Sequence, residues 1–325
     1  FYSAAELAEF LAASLKQFSG WLHILADLRR ARNQSLLALD FPHGEFRRGQ
    51  RELAELTYKC IDQGGQLLLE APTGIGKTAA VLFPALKALA TGKHDKVVFV
   101  TAKTVGRRTA EDTLALFVAQ GYRGNALSLT AREKICLSPG SACHGDDCPY
   151  ARGYYDKLPQ AMQAAITAPG LRRHDIENLA REYVVCPYQL ALDLLPWVDL
   201  VIADIHYVYS LQGTLGALMD SDARRWTVLL DEAHNLPGRA RGMYSARLTK
   251  AAVMSARQSG SGPPARCLEK VNRQLLALQK EPWQEEQFDS RESLPQRLLS
   301  ALQEFTMAVA ERLAIEPAYL QRDPQ

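Results

Sequence analysis

One run constrains the fold of this chain more than any other: Ala71-Pro72-Thr73-Gly74-Ile75-Gly76-Lys77-Thr78. Glycines at 74 and 76 let the backbone curl so that successive N–H groups point at one centre. The lysine and hydroxyl that follow suit a phosphate chain and its magnesium: Lys77 meets the β- and γ-phosphates, and Thr78 supplies a metal ligand. Thr73, Gly74, Gly76, Lys77 and Thr78 are therefore the candidate nucleotide-binding residues. The motif needs a strand before it and a helix after it. The apolar run Gln66-Leu67-Leu68-Leu69-Glu70 is the expected strand, and Thr78 to Leu89 the expected helix. The strict pattern opens on glycine where this chain has Ala71; the Gly76-Lys77-Thr78 spacing is otherwise intact.

Further along, Leu229-Leu230 leads into Asp231-Glu232-Ala233-His234. Acidic pairs after a strand are often plain helix caps. Downstream of a phosphate loop they read differently, because open α/β sheets bind ligands at the carboxyl ends of their strands. Asp231 then serves magnesium, Glu232 orients and deprotonates the attacking water, and His234 couples nucleotide state to the rest of the molecule. With Lys77, these are the candidate catalytic residues. Lys96–Thr101, Ala126–Leu129, Asp199–Ala203 and Thr227–Leu230 are further short apolar runs, suited to a parallel sheet covered on both faces. Helical periodicity spans 3–40, with a break at Gly20 dividing two helices, and recurs over 47–62, 110–120, 156–168, 174–183, 248–257, 267–279 and 293–313. Residues 258–264 read as a loop. Gln50 precedes the first expected strand; its amide can donate and accept at once, which suits an adenine edge and equally a solvated helix surface.

The chain has 325 residues, is 47% hydrophobic and 23% charged, and carries a net charge of +2, so charge alone does not announce a nucleic-acid binder. No apolar stretch is long enough for a membrane span. There is no initiator Met and no export signal, so a piece of a longer, cytoplasmic protein is expected. In a reducing compartment clustered cysteines bind metal more often than they form disulfides.

Four of the six cysteines, Cys136, Cys143, Cys148 and Cys186, lie between the glycine loop and the acidic box. Four thiolates suit a tetrahedral Zn²⁺ or a 4Fe–4S cluster. Their spacing matches neither a ferredoxin run nor a paired zinc ribbon, and on chemistry alone zinc is the commoner guest. Cys60 and Cys267 sit in helical patterns and read as core.

Taken in order, Gln50, the loop Ala71 to Thr78, Thr101-Ala102-Lys103-Thr104, the four cysteines, Cys186-Pro187-Tyr188, Ala203-Asp204-Ile205-His206-Tyr207 and Asp231-Glu232-Ala233-His234 resemble the XPD/DinG group of superfamily-two DNA helicases, over roughly residues 40–240. The resemblance implies a RecA-like P-loop α/β domain over 41–131 and 189–240, an iron–sulfur insertion over 132–188 and a helical arch-like region over 241–325. Residues 1–40 would be the helical tail of a preceding region. It moves the metal assignment from zinc to a 4Fe–4S cluster on Cys136, Cys143, Cys148 and Cys186. It also implies ATP with Mg²⁺, single-stranded or forked DNA as partner, 5′ to 3′ tracking, a role in DNA repair and a monomer. Thr101, Lys103, Thr104, Arg132 and Tyr188 become candidate DNA contacts, Tyr188 by stacking on a base. No second RecA-like domain with its arginine finger is legible, so a fragment that binds nucleotide and cluster without efficient unwinding is expected. The rival readings are a zinc-containing helicase-like ATPase acting on RNA and a non-hydrolysing nucleic-acid-binding scaffold.

Overall fold

The computed structural model describes residues 2–42, 44–72, 74–281, 290–316 and 319. By its internal contacts the chain divides into two units, one of residues 1–137 and 153–244, the other of 138–152 and 245–325.

In chain order, the first unit holds α1 (Ala4–Ala38), α2 (Gln50–Gln63), α3 (Lys77–Ala90), β1 (Lys96–Thr101), α4 (Thr104–Ala119), β2 (Ala126–Ser128), α5 (Arg132–Ile135), α6 (Tyr154–Ile166), α7 (Arg173–Tyr183) and α8 (Pro187–Leu194). It continues with β3 (Leu200–Asp204), α9 (His206–Tyr209), α10 (Thr214–Ser221), β4 (Trp226–Leu230), a 3₁₀ turn (Ala233–Asn235) and α11 (Leu236–Met243). The four strands form one parallel sheet in the order β2-β3-β1-β4. Val97 pairs with Leu200 on one side of β1 and with Thr227 on the other. β1 is buried along its whole length, as a β-branched central strand covered on both faces must be.

Two cores flank the sheet. One joins Leu82, Leu86, Phe99, Phe117 and Ile202 to Leu36 and Leu39 of the end of α1. The other joins Val98, Val100 and Val201 to Met162 and Ile166 of α6, Ile176 of α7 and Leu190 of α8. Helices from the stretch assigned above to a cluster insertion thus share one apolar core with the sheet. A buried ion pair between Arg32 of α1 and Asp199, just before β3, fixes the C-terminal half of α1.

Two expectations are corrected. Gln66–Glu70 is not a strand: none of these residues joins the ladder, and Leu68 is 88% exposed. A strand's hydrogen bonds all lie outside the segment, so an apolar run without a partner edge stays irregular whatever its propensity. Gly20 does not divide α1, which runs unbroken through it. A single interior glycine costs only about 1 kcal/mol, and the helix starts on a Ser3/Glu6 capping box in which each side chain bonds the other's backbone N–H.

The second unit holds α12 (Lys250–Ser259), α13 (Gly262–Gln279) and α14 (Gln296–Ile315), closed on Val253, Leu268, Val271 and Ala301. The expected loop at 258–264 shortens to Gly260-Ser261, because Pro263 and Pro264 fit a first helical turn, where N–H groups have no intrahelical partner anyway.

Candidate active site

Gly74 and Gly76 both adopt left-handed backbone, with φ of 81° and 83°, which residues with a β-carbon avoid. Gly76 is required twice over, since a β-carbon there would lie 2.4 Å from Nε2 of Gln50. Gln50 is buried against the loop, and its Oε1 accepts from the backbone N–H of Arg47 at 2.7 Å. The Arg47 guanidinium in turn donates to the carbonyl of Gly74 at 2.9 Å. Start of α2 and glycine loop are therefore braced together. Lys77 is the first residue of α3, and its Nζ donates to the carbonyl of Ala71 at 3.1 Å. Thr78 follows it, half-buried. Thr73 lies outside the described residues.

The acidic residues directly follow β4, an edge strand of the sheet. The N–H of Asp231 donates to the carbonyl of Val100 at 2.8 Å, extending the β1–β4 ladder by one step. Burial, and then the neighbouring Glu232, push the Asp231 carboxyl above the usual range, while the charges of Lys77 and Lys103 pull the other way. The loop lysine and the acidic box thus lie within each other's field. Glu232 takes a left-handed conformation, φ 54°, that turns the chain into the 3₁₀ turn. Its Oε2 stands 3.5 Å from Nδ1 of His234, and Asn235 Nδ2 donates to the Glu232 carbonyl at 3.1 Å. A left-handed glycine cradle, an ammonium, a hydroxyl and a half-buried carboxylate are the donor set that a magnesium–nucleotide complex uses.

The candidate nucleic-acid residues differ in what they present. Lys103 and Thr104 are exposed at the start of α4. Thr101 is buried, and its hydroxyl accepts from the N–H of Lys103 at 3.3 Å, so it holds the turn that carries Lys103. Arg132 is exposed on α5. Tyr188, in the first turn of α8, is half-buried against the α6–α8 core. Burial, and then Tyr188, push the Tyr207 phenol up to about 12.

Three residues that sequence reasoning did not single out also shape the site. Gly106 lies against Thr101 and Asp231. Arg107 donates to Ser128 Oγ at 3.2 Å and Thr130 Oγ1 at 2.7 Å, tying α4 to the end of β2. Asp204 accepts from the backbone N–H of His206 at 2.9 Å and contacts its Nδ1 at 2.6 Å. Asp204 and His206 stand within the Ala203–Tyr207 run and Gly106 directly follows Thr104-Val105, so proximity to recognised motifs was the available signal; nothing local marks Arg107.

Cys148 is buried, Cys136 and Cys186 are half-buried, and Cys143 is exposed. Cys136 and Cys186 belong to the first unit, Cys143 and Cys148 to the second. Among the described residues no group of three or more His, Cys, Asp or Glu side chains stands close enough together to hold a metal ion.

Comparison with known proteins agrees with this geometry. The DEAD/DEAH box helicase family matches residues 48–121, and the DEAD_2 family matches residues 120–253. A helicase subunit XPD of the general transcription and DNA repair factor IIH from Arabidopsis thaliana is 23% identical over 231 residues, covering 60% of this chain and 30% of the relative. A probable ATP-dependent helicase from Methanocaldococcus jannaschii is 27% identical over 207 residues, covering 60% of this chain and 29% of the relative. A Fanconi anemia group J protein homolog from Gallus gallus is 30% identical over 130 residues, 39% of this chain and 10% of the relative. The chain thus spans less than a third of the length of these relatives. A solved structure of truncated XPD superposes with a TM-score of 0.53 at 20% identity, covering 82% of this chain and 76% of that one. Fold and site together define a RecA-like α/β protein with a phosphate loop. Over residues 48–253 the chain is similar to DEAD/DEAH box and DEAD_2 proteins, XPD among them.

Proposed function

We propose that this chain is the ATP-driven motor segment of a DNA helicase, hydrolysing ATP to track 5′ to 3′ along single-stranded or forked DNA in repair. The observation that carries the reading is the left-handed glycine loop ending in Lys77 and Thr78, whose lysine charge reaches the half-buried Asp231 just after β4.

In this reading the N–H groups around Gly74 and Gly76 cradle the phosphates, and Lys77 leaves the carbonyl of Ala71 for the β- and γ-phosphates. The Thr78 hydroxyl would hold Mg²⁺ with Asp231 in its second sphere, and the ion would neutralise phosphate charge. Glu232 orients and deprotonates the attacking water, and the adjacent His234 reports the change to the rest of the molecule. Gln50 reads the adenine edge, and Lys103, Thr104, Arg132 and Tyr188 follow the strand, with Thr101 holding Lys103 in place.

A 4Fe–4S cluster on Cys136, Cys143, Cys148 and Cys186 belongs to the same reading: the four thiols supply a four-ligand set, and the resemblance makes it iron–sulfur. ATP hydrolysis takes nothing from it; its part is to stiffen the element that splits the duplex. Residues 132–188 would form the cluster insertion and 241–325 the arch-like region, in a monomeric cytoplasmic protein.

The deciding experiment is Lys77→Ala. DNA-stimulated ATP hydrolysis should vanish while the circular dichroism spectrum and melting temperature hold. Unchanged function in that variant would favour a non-hydrolysing scaffold.

A further inference from the structure

Between β1 and α4 the chain turns through Ala102 and Lys103, and this turn presents Lys103 and Thr104, the exposed residues proposed to follow the DNA strand. Lys103 is the N-cap of α4 and makes no side-chain cap bond. The first N–H groups of a helix have no intrahelical partner, so the position of an uncapped start depends on what packs against it. Two side chains bond this turn. The Thr101 hydroxyl accepts from the Lys103 N–H and donates to the Lys103 carbonyl, both at 3.3 Å. The second comes from 137 positions away: the Arg239 guanidinium donates through Nη2 to the carbonyl of Ala102 at 3.1 Å.

Arg239 stands on α11, the helix into which the acidic box opens. Asp231 and Glu232 lead through the 3₁₀ turn to Leu236, the first residue of α11, with no loop between. Leu236 and Met243 pack against the core that contains Val100 and Ala102. Arg239 lies three residues after the one and four before the other, so all three share a helix face. The apolar pair fixes the rotation of α11 and thereby aims the guanidinium at the turn.

Box and turn are thus joined twice. Asp231 donates to the carbonyl of Val100, next to Thr101, and Arg239 holds Ala102. The Lys103 ammonium is also among the charges that act on the Asp231 carboxyl, after burial, Glu232 and Lys77. Arg239 itself is exposed, so the core does not depend on its burial.

We propose that Arg239 is the positioning residue that couples the nucleotide site to the DNA strand, its bond to the Ala102 carbonyl carrying movement of the acidic box to Lys103 and Thr104. The link rests on the ATP and DNA roles proposed for this chain and gives them a physical route. His234 reports nucleotide state; Arg239, touching neither ligand, passes the report to the turn that grips the strand.

Coupling between two sites is reciprocal and is read as a ratio of affinities. Fluorescence anisotropy of a labelled oligothymidylate on the whole chain gives that ratio, with and without Mg²⁺ and a saturating non-hydrolysable ATP analogue. In the parent the analogue should change oligonucleotide affinity by about fivefold or more. In Arg239→Gln the ratio should fall to within about twofold of unity. Oligonucleotide affinity without the analogue, analogue affinity without DNA and the melting temperature should all stay near those of the parent. Arg239→Lys, which can still donate to a carbonyl, should recover part of the ratio. A merely structural arginine would lower the melting temperature and leave the ratio intact. An undiminished ratio in Arg239→Gln overturns the proposal, as does a parent that binds both ligands with a ratio of one. A parent that does not bind both ligands overturns the functional reading, and the coupling with it.

Discussion

Gly106 and Asp231 are in such close register that a β-carbon on the glycine would stand 2.9 Å from Oδ2 of the carboxylate, and 2.3 Å from Oγ1 of Thr101. The absent side chain lets the first turn of α4 close over the ends of β1 and β4. On an exposed helix Gly→Ala gains about 1 kcal/mol. Here Gly106→Ala must displace Asp231 or Thr101, so ATP turnover should fall roughly tenfold to a hundredfold with only a small change in melting temperature. Unchanged kcat would show that the carboxylate is not held where magnesium needs it.

Glu232→Gln keeps the size and left-handed backbone of the residue while removing its basicity. Nucleotide affinity, read with a fluorescent ATP analogue, should stay near that of the parent. Phosphate release should drop by about 10²- to 10⁴-fold, the usual worth of a general base. Equal loss of binding and turnover would make Glu232 a structural cap instead.

Lys96 supplies a pH signature. Burial pulls its ammonium down to about 7, although two carbonyls and the face of Trp226, 5.4 Å away, solvate it. Its folded pKa lies below that of the unfolded chain, so between about pH 7 and 10 the unfolded state binds the extra proton. Stability should therefore rise with pH across that window, by at most about 1.4 kcal/mol per unit, and level off below it. Denaturant melts of Lys96→Met should lack this slope; an identical slope in the variant would assign it to other groups.

The cysteines make a spectroscopic prediction. Anaerobically purified protein should be brown, with broad visible absorbance, and Cys143→Ser should bleach it. DNA stimulation of the ATPase should disappear in that variant while nucleotide affinity persists. A colourless parent protein carrying one zinc per chain would replace iron–sulfur with the zinc reading.

Local chemistry and periodicity were enough to find four strands, since Lys96–Thr101 and the three other strands are largely apolar, as a covered parallel sheet requires. They were not enough for Gln66–Glu70, which is just as apolar: strand formation needs a neighbouring edge, and none engages it. Periodicity also divided α1 at Gly20, where the cost of one glycine is too small to stop a helix. Gln50 was legible as a polar residue before the loop; its burial against Gly76 was not, because that contact joins the N-terminus of α2 to the loop before α3.

The order of residues by itself determined the kinds of group available: a glycine loop ending in lysine and threonine, an acidic box after a strand, and four thiols between them. These follow from side-chain chemistry and short spacings. Tertiary structure alone decided what faces what. The parallel order β2-β3-β1-β4 carries Asp231 into the field of Lys77, seats Gly106 against that carboxylate, and brings the Arg239 guanidinium onto the carbonyl of Ala102. Each of these meetings depends on strand neighbours and close packing between segments distant in sequence, which no local pattern encodes.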